Sequence, residues 1–324
     1  METRPTAGFL LSLTAAFLWG VLPIALKELL AGLDAVTMSW FRFMVAGAVM
    51  LVWLSTRSST PLRELFTSSN TMRLILFISA MGFCSNYFLF SYGLHYVNAE
   101  TSEAVIQLTT LFLIIGGVVF YKERFLAIQK LGTLLIMAGM ILFFHDRLVV
   151  IVTFDSLETI GVILILISAI AWTIYALLQK KLLRHFNAMQ ILTLTYLSSF
   201  VVTIPFASPS QLLNLTTTQW LLLGFSCLNT LLGYGCFTRA LYCWEASKVS
   251  ATLALAPLFT IISLELIVWI YPAYPFSDQL TLLAIAGAIL LVLGSILTAL
   301  VPVLSSRDRR ARQLRRSRQL RHSR

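Results

Sequence analysis

The sequence predicts an all-α integral membrane protein whose ten transmembrane helices form two inverted five-helix repeats. Three observations lead to this prediction. Charged residues make up 12% of the 324 residues and hydrophobic residues 58%, whereas charged residues are about 25% of a typical soluble domain. Apolar runs of 18 or more residues, the length that a bilayer requires, recur along the chain. The pattern of apolar segments in the first half of the sequence is repeated in the second half.

Ten apolar segments follow one another with mostly short connections, so consecutive helices are expected to be antiparallel neighbours. They span about 8–26, 36–56, 72–92, 100–120, 127–144, 160–181, 187–207, 217–238, 248–271 and 280–301. The first run continues to Leu26 without a small-residue cleavage site, and more spans follow it. This pattern argues against a secretory signal peptide.

Three pairs of segments align without gaps and in the same order in the two halves. The pairs are 15–30 with 168–183, 99–112 with 246–259, and 132–142 with 287–297. The first pair matches Trp19 with Trp172 and Lys27 with Lys180. Because five spans per copy is an odd number, the second copy begins on the opposite face of the membrane. Repeats are expected at 8–144 and 158–301, and inverted repeats are the usual build of secondary transporters.

The lysines and arginines predict the orientation in the membrane, because loops on the cytoplasmic side carry an excess of both. Twenty-one of the 24 lie on the side of the N-terminus, only Lys27 and Arg147 lie on the other side, and Arg42 lies within a span. Both termini are therefore expected in the cytoplasm, with the chain in a bacterial inner membrane. The basic tail 305–324 is expected to contact anionic inner-leaflet lipids. It has no aromatic residues and belongs to a membrane anchor, so nucleic-acid binding is not expected.

Cysteine and histidine residues show no paired metal-ligand spacing. Cys84, Cys227, Cys236 and Cys243 fall inside or at the edge of apolar segments, where cysteine behaves as a small hydrophobic residue. The four histidines are scattered. The sequence therefore predicts neither a metal site nor a cofactor.

Several short motifs resemble the EamA group of ten-helix carriers in the drug/metabolite transporter superfamily. They are Trp19-Gly20, Trp172, Lys122-Glu123-Arg124, residues 257–260 (Pro-Leu-Phe-Thr), and the glycine pairs Gly132/Gly139 and Gly287/Gly294. The resemblance implies a carrier that exports or exchanges small metabolites, often amino acids or drugs. It also shows departures. The second copy lacks the acidic–basic element, and Thr110 stands where the second copy has Pro257, so the two halves are expected to flex differently.

Three charged residues within spans are candidate functional groups, because a charge inside a bilayer is costly. Arg42, Glu103 and Glu265 all fall in the outer half of their spans. One interpretation is a binding group for a carboxylate or an amine, or a carboxylate that couples transport to protons. The other is a structural ion pair of Arg42 with either acid. These positions are not matched between the copies, where Thr195, Ser250 and Val118 stand opposite them.

A second set of candidates is aromatic or polar without charge and lies near mid-span. With Arg42, it forms the predicted substrate cavity: Trp19, Tyr87, Gln107, Trp172, Tyr175, Tyr196 and Tyr234. Tyrosine and tryptophan normally gather at the membrane interfaces, so copies at mid-depth favour a lined cavity. Hydrogen bonding between helices is the alternative. An aromatic pocket suits amphipathic organic cargo, and Pro257 is the candidate hinge because proline removes a helical hydrogen bond.

These observations favour a secondary active transporter of a small-molecule substrate, because the sequence has no phosphate-binding Gly-rich loop and no soluble domain large enough for an ATPase. An ion or substrate gradient would then drive transport, and Glu265 is the candidate proton carrier. The expected mechanism is alternating access. Two alternatives stay open. One is a passive channel or receptor, and the other is a membrane enzyme that acts on a lipid-linked substrate. An enzyme is not expected, because the outer acidic residues are spread out and show no nucleophile–base pair.

Overall fold

The computed structural model describes residues 4–57, 63–97, 99–123, 125–143, 145, 157–272, 274 and 281–300. The helices that cross the bundle are α1 (Pro5–Leu29), α2 (Ala35–Arg57), α3 (Asn70–Gly93), α4a (Ala99–Ile106), α4b (Leu108–Tyr121), α5 (Ala127–Phe143), α6 (Leu157–Leu182), α7 (Ala188–Thr203), α8 (Thr217–Cys243), α9a (Ala246–Leu253), α9b (Ala256–Ile270) and α10 (Leu282–Ser295). A π-helical turn, Ile296–Leu300, continues α10. The predicted tail 305–324 and most of the connection between the repeats lie outside the described residues.

The fold class predicted from the sequence is confirmed. Among the described residues, eight helical segments are long and apolar enough to cross a membrane when Thr101–Tyr121, Ala188–Phe206 and Ala246–Ile270 are each counted as one helix. Two shorter apolar helices, Ala127–Phe143 and Leu282–Thr298, stand where the fifth and tenth spans are predicted. Large apolar side chains such as Phe120, Trp269 and Leu282 are exposed on the outside of the bundle. This is the arrangement of a multi-pass membrane protein, whose outer surface faces lipid rather than water.

Three helix starts carry side-chain caps of the residue types that favour this position. Asn187 and Thr216 each accept a hydrogen bond from the backbone N–H of a glutamine three residues later, and that glutamine reaches back to the cap. The Asp34 carboxylate accepts from the backbone N–H groups of Val36 and Thr37 at 2.8 Å each. These caps fix where α7, α8 and α2 begin.

The most extensive helix contacts each join one helix of the first half to one of the second. The five pairs are α1 with α8, α2 with α7, α3 with α6, α4b with α9a, and α5 with α10. The partners are antiparallel: the N–H of Arg4 before α1 donates to the carbonyl of Cys243, the last residue of α8, at 3.1 Å. Each half therefore buries its polar and small residues against the other, and neither half forms a separate bundle.

Two glycine pairs allow α5 and α10 to pack with their backbones in contact. A Cβ added at Gly139 would lie 2.9 Å from the Gly287 carbonyl oxygen, and one at Gly294 would lie 2.6 Å from the Gly132 carbonyl oxygen. The glycine pair of the first copy thus contacts the equivalent glycine pair of the second copy.

The fourth and ninth spans are both interrupted at mid-length, at Gln107 and at Ala254–Leu255. Gln107 and Ala254 occupy equivalent positions in the alignment of 99–112 with 246–259. The sequence predicts a difference here, because only the ninth span has a proline. The structure instead interrupts both helices, and Pro257 is the second residue of α9b, just after the interruption. Paired interruptions at corresponding positions are typical of transporter binding sites.

Candidate functional site

A cleft lies between the interruptions and one end of the bundle, and its cavity volume is about 110 Å³. The other end of the bundle carries Arg4, Lys122, Lys180, Arg184 and Lys248, and is called the basic end below. Most lining residues come from α4a and from the halves of α1 and α3 that lie away from the basic end. The helices α2, α4b, α6, α8, α9a and α9b contribute the others. The cleft is therefore confined to the half of the bundle opposite the basic end.

Repeat-related tryptophans meet at the floor of the cleft. The rings of Trp19 and Trp172 are 5.6 Å apart and perpendicular, and Trp19 also contacts Tyr234 at 5.0 Å and Phe237 at 5.2 Å. Space for the Trp19 ring depends on Gly233, where an added Cβ would lie 2.6 Å from the indole Nε1. These rings separate the cleft from the basic end.

Arg42 of α2 lies on one wall of the cleft with 1% of its surface exposed. Its Nε donates to the Thr230 hydroxyl at 3.1 Å, and its guanidinium carbon lies 4.6 Å from the centre of the Tyr87 ring. The Tyr87 hydroxyl donates to the same Thr230 oxygen at 3.3 Å. Thr230, which the sequence analysis does not single out, therefore orients both residues.

Glu103 of α4a also lines the cleft and is 4% exposed. One carboxylate oxygen accepts a hydrogen bond from the side-chain Nε2 of Gln107 at 2.8 Å. The side-chain Oε1 of Gln107 accepts a hydrogen bond from the Thr110 hydroxyl at 3.0 Å. The side chain of Gln107 thus spans the interruption of the fourth span. It holds a carboxylate on one side of that interruption and the start of α4b on the other.

The structure brings most of the predicted cavity residues together. Trp19, Arg42, Tyr87, Gln107, Trp172 and Tyr234 line the cleft. Tyr175 and Tyr196 are fully buried behind the wall, where both pack against Phe83.

The three predicted charges do not form an ion pair. Neither Glu103 nor Glu265 lies within 4 Å of a cationic nitrogen in the part of the chain that the structure describes, and the same holds for Arg42 and carboxylate oxygens. Glu265 is exposed on α9b and does not line the cleft. Arg42 and Glu103 are therefore the two charges of this cleft, and Glu265 lies apart from them.

A second polar cluster closes the basic end. Glu123, just after α4b, receives a hydrogen bond from the Lys180 ammonium at 2.6 Å, and the side chains of Glu123 and Lys180 are 6% and 8% exposed. The same carboxylate accepts from the backbone N–H groups of Ala246 and Ser247 and from the Ser247 hydroxyl, at 2.6–3.1 Å. This Glu123 cluster ties α4b to the end of α6 and to the start of α9a, both in the second half.

Local backbone geometry places Glu123 in this cluster. Lys122 has a φ of 51°, and the N–H of Glu123 donates to the Gly117 carbonyl. A Cβ at Gly117 would lie 2.8 Å from the Glu123 carboxylate. Burial by itself raises the pKa of Glu123, but the Lys180 charge and the hydrogen bonds from Lys180 and Ser247 outweigh it and hold that pKa below its usual value.

Lys122-Glu123-Arg124 belongs to the family resemblance, but no pattern in the sequence predicts a partner for Glu123. One signal was present: Lys180 is identical to Lys27 in the aligned first spans of the two copies. Lys27 binds the carbonyls of Leu94 and Val97 at 2.7 and 2.8 Å at the opposite end. Equivalent lysines thus tie down connections at opposite ends of the bundle.

A model of the EamA-like transporter family matches residues 6–145 and 159–300. The chain belongs to this family. The resemblance inferred from the motifs is confirmed, and the chain is a member of a family of transporters rather than of enzymes.

Relatives of this EamA-family chain extend over its whole membrane region. An "Uncharacterized transporter" of Haemophilus influenzae is 36% identical over 300 residues, which cover 93% of this chain and 97% of the relative. The "Uncharacterized inner membrane transporter YhbE" of Escherichia coli (strain K12) is 33% identical over 300 residues and 93% of each chain. A solved crystal structure shares the fold with a TM-score of 0.68 at 16% identity, covering 92% of this chain and 99% of the other.

Proposed function

We propose that the protein is a secondary carrier that moves small organic molecules, such as amino acids or amphipathic drug-like compounds, across the inner membrane by alternating access. The basic end faces the cytoplasm in this proposal, because positively charged residues are concentrated in cytoplasmic loops. The cleft then opens toward the outside. The relatives named as transporters, one of them an inner membrane transporter, support this assignment.

The observation that carries the proposal is a cleft that ends at mid-depth on a floor built from both repeats. Trp19 and Trp172 occupy equivalent positions in the two copies and meet there. If the two inverted halves exchange conformations, the same pair becomes the roof of a cleft that opens at the basic end. A site that is open to one side at a time is the requirement for a carrier.

The Glu123 cluster is the contact that must open in the second state. It joins α4b of the first half to α6 and α9a of the second half, across the end where the cleft would then open. Its interactions are ionic and directional, so they are lost as a unit when the helices separate. The interruptions at Gln107 and Ala254–Leu255, with Pro257 beside the second, are the proposed hinges.

Coupling to a proton gradient has one candidate in the cleft. Glu103 lines it, whereas Glu265 faces the outside of the bundle. We assign the proton-coupling role to Glu103 rather than to Glu265, because a coupling group must be reached from the space that the cargo occupies. Gln107 holds the carboxylate beside one of the proposed hinges.

Counterflow in proteoliposomes tests the carrier proposal. Cargo is first selected by a thermal-shift screen of the purified protein against amino acids, aromatic carboxylates and aromatic amines, since a ligand that binds the folded state raises its stability. Unlabelled cargo inside the vesicles should then accelerate uptake of labelled cargo. Uptake that does not respond to internal cargo, together with conductance, would identify a passive channel.

A further inference from the structure

We propose that Arg42 forms a carboxylate-binding subsite of the cleft, and that the cargo is an organic acid with one carboxylate and an apolar body. The inference rests on the proposed function only in taking the cleft as the cargo site.

Most of the hydrogen-bonding capacity of Arg42 is unused. A guanidinium carries five N–H donors and no acceptor. Only Nε donates to another described residue, the Thr230 hydroxyl. The donors on the two terminal nitrogens have no acceptor among the described residues, although Arg42 lines the cleft and is 1% exposed overall. The planar fork that they form matches the two oxygens of a carboxylate.

The protein tolerates this charge without neutralising it. An arginine inside a membrane helix is costly. Tyr87 supplies a cation–π contact, and the Thr230 hydroxyl accepts one hydrogen bond. These two contacts offset part of the cost and leave the positive charge in place. A carboxylate from the protein would neutralise that charge, but Glu103 and Glu265 both lie beyond ion-pair distance.

The rest of the cleft indicates an organic acid rather than an inorganic anion. Arg42 is the one cation among the lining residues that the structure describes. One guanidinium balances the single charge of a carboxylate but only half the charge of a phosphate dianion. The floor is a tryptophan pair with Tyr234, which suits an apolar group a short distance from the carboxylate.

Binding of a matched pair of probes to purified protein tests this inference. The probes are 3-phenylpropionate and 3-phenylpropanamide, which share a shape and differ in charge. The wild type should bind the acid more tightly than the amide. Arg42→Gln should weaken binding of the acid by about 10- to 100-fold, the range expected for hydrogen bonds to a charged group, and weaken binding of the neutral amide much less. Retained amide binding also shows that the variant is folded.

Glu265→Gln is the matched control, since it removes another charge within a span but lies outside the cleft. It should leave both affinities unchanged. If Arg42→Gln does not fold, Arg42→Lys replaces it: the charge stays, the fork is lost, and the ratio of acid to amide affinity should fall. An unchanged ratio in either arginine variant would overturn the inference, as would equal wild-type affinity for the two probes or equal competition by inorganic phosphate.

The two proposals fail separately. Arg42-dependent binding of the acid without counterflow would leave the subsite intact and remove the carrier mechanism. Counterflow of cargo that is indifferent to Arg42 would leave the carrier and remove the subsite.

Discussion

Gly233 shows at the scale of one residue how the cleft floor depends on a missing side chain. A Cβ there would lie 2.6 Å from the Trp19 indole nitrogen, closer than real carbon atoms pack. Trp19 is held on its other sides by Trp172 and Phe237, so it has little room to move. The floor of the cleft is therefore a packed cluster that a single methyl group disturbs.

Gly233→Ala should destabilise the protein by about 1–3 kcal/mol, the usual cost of overpacking, and change the tryptophan fluorescence. Thermal unfolding in detergent and an emission spectrum measure both effects. Gly224→Ala and Gly235→Ala, on the same helix, are matched controls because nothing lies within 4 Å of a Cβ at either position. They should be neutral or slightly stabilising, since alanine favours a helix more than glycine does. Equal effects at all three positions would contradict a packed floor.

Glu123 is the second residue with a measurable individual effect. Glu123→Gln removes one charge of a buried pair, and such changes cost about 3 kcal/mol or more. Because the folded pKa of Glu123 lies below its usual value, its stabilising contribution is present above about pH 4.3 and is lost as the pH falls through the folded pKa. The difference in melting temperature between wild type and variant should stay constant between about pH 6 and 8 and should become smaller in acid. A difference that grows in acid would contradict the charged Glu123 cluster.

Elements differ in how far the sequence predicts them. The lengths and order of the apolar segments predict the ten helices, because a bilayer requires about 20 apolar residues per crossing. The interruption of the ninth span has a local signal in Pro257. The interruption at Gln107 has none, and only the alignment with Ala254 indicates it.

The site is predicted less completely than the helices. Depth along a span can be read from the sequence, but the direction in which a side chain points depends on which helices pack together. This is why Glu265 falls outside the cleft and Tyr175 and Tyr196 fall behind it. The roles of Thr230 and Glu123 depend on hydrogen-bond partners that lie more than 50 positions away in the sequence. A single sequence does not reveal such partners.

The junction of α4b with the following connection can be tested as an element. Gly117→Ala places a methyl group against the Glu123 carboxylate, which cannot shift without losing its bonds to Lys180 and Ser247. The variant should therefore lose stability much as Glu123→Gln does. The double variant should lose little more than either single variant, because both act on the same cluster. Melting temperatures of the four proteins measure the coupling, and additive losses would show that Gly117 acts elsewhere.

At the scale of the whole molecule, the pairing of helices across the repeats links the two ends of the bundle. Each principal pair contains one helix from each half, and in the proposed mechanism a movement that opens the basic end closes the cleft. Thr109 of α4b lines the cleft and is half-buried. Thr238 of α8 lies toward the basic end and is fully buried.

Labelling of these two positions from each side of the membrane tests alternating access most directly. Single cysteines at Thr109 and Thr238, in a background without the four native cysteines, are treated with a membrane-impermeant maleimide in sealed vesicles of known orientation. In the otherwise unchanged protein, Thr109→Cys should react from the outside and Thr238→Cys should be protected. Adding Glu123→Gln should slow labelling at 109 and allow labelling at 238 from the cytoplasmic side. Reaction of both positions at once, or no change on breaking the Glu123 cluster, would contradict the account.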